Sequence, residues 1–509
     1  MTTQRPGDNL VQTAVNALAS DPEGRAVEFD RHWYTFGDLK SLADRLAELL
    51  RFSGAEPHAN IAFAPRNRPS AIAALLGLIA DRRNVQMLYA YQSGPSLAKQ
   101  LARLSPSVLI AAAEEFTPEV VGKLGELGAA GIALSDMKVE LVAGAETVER
   151  KTDRDPDSQP SIEILTSGTT GPARQHPLSY ERMEQRFVTA NVAYARGMLK
   201  DEAPQLVCYP LGNTSGLYSA LPNLLLQLPI VLIEKFTVSQ WHDYVLRYRP
   251  AELFLPPAGM QTVMDMKIPV EDLSCGRILR SGMTNLPREL HKAFEDRYGI
   301  PILLSYGATE FGGVVVQMTE ELVREWGQEK LGSTGRAIGE AKVRVVDHQT
   351  GEVLPPGGEG VLEVLVPSLS PDWQRTTDMA KMDEDDFVFI LGRADGAIMR
   401  GGFKILPESI EGPLAQHPAI ADVGVLGIPD RRLGQVPAAL IVLAEGADRP
   451  TSEEMDKFLR EHVPATYIPQ VWRWVDKIPR TSSVKVARAE LKRLYEELVS
   501  GDARSPARA

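Results

Sequence analysis

Residues 162–171 read IEILTSGTTG: a short apolar run, Ile162–Leu165, followed at once by four hydroxyl side chains and two glycines in Thr166–Gly171. Such a run, apolar but for Glu163 and closed by this segment, reads as a buried strand feeding a loop. A polyphosphate needs many donors at short range and a backbone it can approach. Ser and Thr supply hydroxyls, and Gly leaves the main-chain N–H groups uncovered. Arg174 follows three residues later and adds a positive charge. No GK[ST] closes the loop, so it is not the Walker arrangement, and a plain Ser/Thr/Gly surface loop has the same composition.

Outward from that strand the pattern alternates. Upstream, Leu39–Phe52 (LKSLADRLAELLRF) has apolar residues at helical spacing, Asn60–Phe63 and Ser107–Ala111 read as buried strands, and Ala71–Ala80 as an apolar helix. Strands alternating with helices predict a parallel sheet with helices on both faces. The polar stretch Thr147–Gln159 reads as an exposed loop, and further α/β units occupy 205–310. Lys342–Asp347 and Gly360–Val366, joined by DHQTGEVLPPGGE, predict a small β-rich region. Beyond 395 the pattern restarts: helix at Glu408–Gln416, strands at Val423–Gly427 and Ala438–Val442, helices at Ser452–His462 and Ala489–Val499. That is a compact α+β unit of about a hundred residues, large enough to stand as a separate domain. The final GDARSPARA reads as a disordered tail.

Composition narrows the function classes. The chain has 509 residues, with Lys+Arg 55 against Asp+Glu 67 and a net charge of −12. There is no basic excess to neutralise nucleic-acid phosphates or an anionic membrane. Cys208 and Cys275 are too few for a disulfide scaffold. The N-terminus lacks a signal-peptide pattern. The most apolar stretch, Leu221–Ile233, is interrupted by Pro, Asn and Gln, and is shorter than the roughly 20 residues of a spanning helix. It reads as buried core, and the expectation is a cytoplasmic protein without membrane insertion.

Three further segments have chemical content. Ser305–Glu310 (SYGATE) follows the apolar strand ILL, and carboxyl ends of parallel strands are where α/β ligands bind. Glu310 can hold Mg²⁺, a hard cation that takes carboxylate together with substrate phosphate. Arg375–Asp378 (RTTD) and Gly392–Asp395 (GRAD) offer an Asp to accept from ribose hydroxyls and an Arg to reinforce it. In Pro479–Arg488 (PRTSSVKVAR) a lysine can supply a point charge to a developing phosphate anion. Each segment alone is equally an ordinary turn. The eight histidines show no HxxxH or HExxH spacing, and His176 reads as a surface residue.

Together, in order and spacing, these motifs resemble the adenylate-forming superfamily: acyl- and aryl-CoA synthetases, firefly-type luciferases and peptide-synthetase adenylation domains. The similarity continues through GSTGRAIGEAKVRVVD and RTTDMAKMDEDDFVFILGRADGAIMRGGFKILPESIE, and is nearest to the acyl-CoA synthetases. It implies an α/β fold with a large N-terminal domain (1–394) of parallel and mixed sheets, flanking helices and a β-rich region. A small mobile α+β cap (395–500) and a disordered tail (501–509) complete it. It also implies ATP-dependent activation of a carboxylic acid to acyl-AMP, then transfer to the thiol of CoA.

By matching positions, Thr166, Ser167, Gly168, Thr169, Thr170 and Gly171 cradle the β/γ-phosphates, with Arg174 beside them. Ser305 and Tyr306 lie against the nucleotide, Thr309 contacts the α-phosphate, and Glu310 binds Mg²⁺. Asp378 and Arg393 hold the ribose. Lys485 bridges carboxylate and α-phosphate, and Asp395 is the hinge. The strand Arg400–Ile405, with Gly401, Gly402, Phe403 and Lys404, admits the pantetheine arm of CoA. Tyr209, Asn213, Tyr218, Gly282 and Gly312 fall in the acyl pocket.

The sequence departs from the family pattern at Arg174 (for Lys), Thr377 (for Gly) and Val484 (for the Gly before the lysine). In Pro210–Gly216 (PLGNTSG), Gly212 and Asn213 stand where an aromatic residue and a His are usual. Smaller residues there would free volume beside the reacting carboxylate, which leads to the expectation of a bulky or ring-containing acid. Two other readings share these motifs: an acyl-AMP ligase that loads a carrier-protein thiol, and a non-catalytic homologue that holds a nucleotide or acyl ligand.

Overall fold

Apolar strands that alternate with amphipathic helices have to bury both faces of a sheet, and the chain does so first around seven strands. In the computed structural model, residues 7–149, 154–166, 174–185, 203–282, 286–393, 396–479, 486 and 488–502 are described. The sheet runs in the order Lys138–Leu141, Ala130–Ser135, Val108–Ala112, Asn60–Ala64, Asn84–Met87, Ser161–Thr166, Arg174–Ser179. The five inner strands are parallel and the two edges antiparallel. Val108–Ala112 is buried at every position, as a strand covered on both faces must be.

The helix Phe36–Phe52 begins at a capping box in which Thr35 and Asp38 satisfy each other's backbone N–H groups. It buries Leu39, Leu42, Leu46, Leu49 and Leu50 in the same core as Ile61, Phe63 and Ile110.

Two more sheets complete the α/β part. One places Gln205–Val207, Ile230–Leu232, Arg25–Phe29 and His32–Thr35 side by side. The other has parallel strands Glu252–Phe254, Ile278–Ser281 and Ile302–Ala308, then antiparallel Gly313–Gln317 and Arg336–Ala337. The β-rich region is an antiparallel sheet of Lys342–Val346, Glu359–Leu365, Gln374–Met382 and Val388–Arg393, as the turn-rich linker predicts.

The last hundred residues have a core of their own, with Ile398, Ile405, Ile410, Val425, Ile441 and Leu459. Arg488 pins the final helix to that unit through Glu411 and, at 2.6 Å, Glu408. The fold is therefore α/β with a large N-terminal part and a small C-terminal one.

Several boundaries differ from the sequence reading. The run ILL does not stop before SYGA; the strand continues through Ala308. The two short C-terminal strands are one long hairpin, Ile420–Asp430 with Gly434–Leu443, because Pro429 and Pro437 lie within its ladder without ending it. Leu221–Ile233 is buried at both ends but half-buried to exposed over Leu226–Pro229, and it is divided between the helix Thr214–Leu225 and the strand Ile230–Leu232. Within Thr147–Gln159, Arg154 is half-buried, donating to Asn60 and Glu163, so that stretch is not wholly exposed. The last helix runs to Asp502, two residues past the expected domain end, and residues 503–509 lie outside the described residues. No helix among the described residues is long and apolar enough to cross a membrane.

Cys208 is buried and Cys275 partly exposed. Burial pushes the Cys208 thiol up to about 12. The neutral thiol thus supports the folded state below the unfolded value of about 8.5, and that contribution is lost as pH rises toward 12. A disulfide reagent at pH 8 is expected to label Cys275 at least about tenfold faster than Cys208, with Cys208 reacting on unfolding. Equal native-state rates by mass spectrometry would contradict this packing.

Candidate active site

The strand Ile302–Ala308 carries Ser305 and Tyr306 to the carboxyl edge of its sheet. A single turn, Thr309–Phe311, and Gly312 at φ +66° then reverse the chain. Tyr306 donates its hydroxyl to Asp378 Oδ2 at 2.6 Å. Asp378 lies within the strand Gln374–Met382, directly across the ladder from Arg393. Its segment is fixed further: the Asp378 N–H donates to Thr376 Oγ1 (3.0 Å), and Thr376 donates to the Leu362 carbonyl (2.7 Å). The expected nucleotide residue and the expected ribose residue are thus joined, and the aspartate stands mid-strand rather than in a turn.

Thr309 Oγ1 lies 2.6 Å from Thr214 Oγ1. Thr214 opens the helix Thr214–Leu225, whose unpaired N–H groups carry the positive end of the helix dipole. Tyr218, one turn on, donates to the Gly312 carbonyl. The start of this helix is therefore tied to both ends of the turn that bears Glu310. Asn213 is its N-cap, its side chain accepting from the Gly216 N–H at 2.9 Å.

Position 212 has no room for a Cβ, since one there would sit 2.8 Å from the Leu88 carbonyl oxygen. These two residues therefore serve a tight chain approach and a cap. The free volume expected at this point is not what the glycine provides.

Glu310 is exposed, with His176 Nε2 3.9 Å from its carboxylate. His176 is half-buried, correcting its reading as a surface residue. Tyr89 donates to the Leu165 carbonyl at 3.1 Å, at the root of the hydroxyl-rich loop. Burial, then the charge of Glu310, push the Tyr89 hydroxyl above its usual range.

Thr166 and Arg174 are paired in register, so the intervening loop springs from a closed ladder end. Residues Ser167, Gly168, Thr169, Thr170 and Gly171 lie outside the described residues, as do Asp395, Val484 and Lys485. Among the described residues no group of three His, Cys, Asp or Glu could hold a metal by itself. One exposed carboxylate nevertheless suits Mg²⁺, which keeps waters and leans on substrate phosphates.

On the C-terminal side, Arg400–Ile405 is not one strand. Ile398–Arg400 and Phe403–Ile405 form a hairpin around Gly401 and Gly402, at φ +54° and +87°. Positive φ at two consecutive turn residues accounts for the glycine pair. Lys404 faces Met399 across that hairpin. The Phe403 ring reaches Tyr89, edge to face at 6.4 Å, and Arg431 meets Asp265 at 3.4 Å. These contacts bring the C-terminal part against the large one.

In the expected acyl pocket, Gly282 borders Ser305, whose Oγ would be 2.9 Å from an added Cβ. Tyr209 stands edge-on to Phe254 at 5.0 Å. Asn67, which the sequence reading did not single out, fixes this edge: it is 3% exposed and donates to the Tyr209 (2.8 Å) and Ile233 (3.1 Å) carbonyls. It also accepts from the Leu211 N–H at 2.9 Å. A buried Asn between two strand-end loops has no periodicity to announce it. Tyr89 and His176 likewise sit outside any spaced motif, though His176 follows the phosphate loop on the strand that pairs with it.

The family model described as AMP-binding enzyme matches residues 15–371, and that of the AMP-binding enzyme C-terminal domain matches 409–485. The chain belongs to the AMP-binding enzymes, the adenylate-forming class that the motifs resemble. A 2-succinylbenzoate–CoA ligase of Bacillus cereus (strain ATCC 14579) is 28% identical over 351 residues, 66% of this chain and 70% of that one. YdaB of Bacillus subtilis (strain 168), placed by name with the acyl–CoA ligases, is 26% identical over 520 residues, 95% of this chain and 99% of its own. Among solved structures, o-succinylbenzoate CoA synthetase of Bacillus subtilis superposes with TM-score 0.76 at 21% identity, covering 96% of this chain and 99% of that one. The amide bond synthetase McbA of Marinactinospora thermotolerans also gives 0.76, at 22% identity, with 95% and 99% covered.

Asn67→Ala would strand three backbone groups that its carboxamide now satisfies. It is expected to cost about 2–4 kcal/mol of stability in urea unfolding. A loss below about 0.5 kcal/mol would show that water satisfies them instead.

Proposed function

We propose that this chain is an AMP-forming acid–CoA ligase acting on a ring-containing or bulky carboxylic acid. The observation that carries the reading is the joined frame Tyr306–Asp378 beside Thr309–Thr214, with Glu310 at its outlet, in a chain of the AMP-binding family. In the first half-reaction a carboxylate oxygen attacks the α-phosphorus of ATP, the α–β phosphoanhydride breaks, and pyrophosphate leaves. In the second, the CoA thiol attacks the acyl carbon, its proton is lost, and AMP leaves with the electron pair of the mixed anhydride. The ring-acid part rests on the relatives named for 2-succinylbenzoate.

The residue roles follow the motif positions. Thr166–Gly171 and Arg174 take the β/γ-phosphates, Ser305 and Tyr306 the nucleotide base, Thr309 the α-phosphate, and Asp378 with Arg393 the ribose. Glu310 would hold Mg²⁺, which when bound draws charge from the phosphates. Lys485 would sit between two anions that otherwise repel, a preorganised positive charge that lowers the cost of their approach. His176 lies close enough to Glu310 to orient its carboxylate. Residues 1–394 form the adenylating body and 395–500 the cap, turning about Asp395. Tyr209, Asn213, Tyr218, Gly282 and Gly312 border the acid, with Asn213 acting through the helix it caps.

The Phe403–Tyr89 contact supports a second assignment. It brings the Gly401–Gly402 hairpin toward the root of the phosphate loop, the placement a thiol would need to reach the acyl carbon. It supports a thioester-forming arrangement in which CoA would approach along Gly402, Phe403 and Lys404.

Mixing the protein with ATP, Mg²⁺ and a panel of linear, aromatic and polycyclic acids is expected to release pyrophosphate, and thioester on addition of CoA without any carrier protein. No release across the panel would overturn the reading. Lys485→Ala is expected to lose at least about a hundredfold in adenylation while still forming thioester from supplied acyl-AMP; undiminished adenylation would remove the lysine from the mechanism. Tyr89→Ala is expected to slow thioester formation from acyl-AMP about tenfold, with Tyr89→Phe, which keeps the ring contact, near the parent rate. Equal effects of the two variants would assign the role to the hydroxyl on Leu165 instead.

A further inference from the structure

Tyr209 presents an anomaly. It is 9% exposed, and its buried hydroxyl has no hydrogen-bond partner among the described residues. Buried hydroxyls are almost always satisfied, so a native one that is not calls for an explanation. Its place supplies one. Tyr209 follows the strand Gln205–Val207 and begins the loop that leads to Thr214, in contact with Thr309. Its ring meets Phe254, the last residue of its own parallel strand and only half-buried.

The ladder defines which face this is. Phe254 is in register with Arg280, and partners across a parallel ladder share a face, while successive residues alternate. Phe254, Arg280 and Gly282 therefore point one way. Ser305 joins them, since Leu304 is in register with Ser281 on the other face. The Ser281 hydroxyl is also buried and, among the described residues, unpartnered, but alternation turns it to the face of Leu253, Leu279 and Leu304, opposite the one Gly282 and Ser305 share; Phe254, on the edge strand, also packs against the core those leucines belong to.

Charge on the Phe254 face is already spent. Arg280 donates to Glu252 at 2.5 Å. Arg280 is thus already matched by a carboxylate, whereas a neutral oxygen on the acid needs only a donor. Burial holds the Tyr209 hydroxyl protonated, far above neutral pH, so it can donate.

We infer that Tyr209 is a specificity-determining residue whose hydroxyl donates to an uncharged carbonyl or hydroxyl oxygen carried by the acid away from its reacting carboxylate. The substrate class is thus a ring-bearing or branched oxo- or hydroxy-acid rather than a pure hydrocarbon acid. This rests on the acid–CoA ligase reading and narrows it.

The experiment uses the full-length protein and matched pairs of ring acids that differ only in a ketone or hydroxyl oxygen replaced by methylene or hydrogen. Pyrophosphate release gives kcat/KM for each. The wild type is expected to prefer the oxygenated member of at least one pair by about tenfold or more, because the alternative leaves the tyrosine unpaired. In Tyr209→Phe that preference should fall to within about twofold, about one hydrogen bond's worth of discrimination lost. The melting temperature without acid should not drop, since no bond is removed, and the upward shift given by the preferred acid should shrink. A wild type that releases pyrophosphate with no oxygen preference, or a preference that survives in Tyr209→Phe, overturns this inference and leaves the ligase reading standing. No release with any acid overturns both.

Discussion

Parallel strands end together, and at that edge every strand leaves carbonyls and N–H groups without ladder partners. Burying such an edge is costly unless side chains take over the pairing. Asn67 does this for the join between two sheets: one carboxamide binds the carbonyls of Tyr209 and Ile233 and the N–H of Leu211. The loop Pro210–Gly216 is held from beneath, which allows the helix behind it to aim Thr214 at Thr309. The Tyr306–Asp378 bond performs the corresponding task between the parallel sheet and the β-rich region. With those ties in place, Thr214, the Tyr306–Thr309 segment and Asp378, from three separate stretches of chain, are held together.

What the sequence discloses and what it conceals depend on the range of the interactions. Periodicity is local, so the helix Phe36–Phe52, the buried strands and the β-rich hairpin were legible to within a few residues. The long hairpin Ile420–Leu443 was not, because Pro429 and Pro437 interrupt the apolar run while each still fits an extended register. The candidate site was legible where chemistry is packed into a short segment, as in TSGTTG and YGATE. It was hidden where one residue acts across more than a hundred others, as Asn67 does on 209–233, or across a long gap, as Tyr89 does on Leu165 and Phe403 and His176 on Glu310. No composition rule singles out a lone Asn, Tyr or His for such work.

Gly212 and Asn213 show how a motif position can mislead about volume. A residue smaller than its usual counterpart invites the inference of a larger pocket. Here the glycine admits the Leu88 carbonyl and the asparagine closes a helix start, so the saved space is filled by backbone. The Gly401–Gly402 pair makes a similar point. Its glycines answer a turn that needs positive φ, and any passage for a thiol arm comes as a by-product of that turn.

Among the described residues, the side-chain ties across the two parts are weak ones: an edge-to-face ring pair at 6.4 Å and an exposed ion pair at 3.4 Å. Exposed ion pairs contribute about 0–1 kcal/mol, and an aromatic pair about 0.5–1.5 kcal/mol. By contrast, each part holds its own apolar core, and Arg488 binds the last helix into the smaller one through two carboxylates. Two firm parts and a weak seam suit the alternation proposed for the two half-reactions, in which the seam would open without either side loosening. Tyr89 lies on that seam with its hydroxyl on the strand that leads into the hydroxyl-rich segment and its ring against Phe403 of the smaller part. The Tyr89 side chain thus links the strand end at Leu165 to Phe403 of the smaller part through contacts weak enough to break and reform.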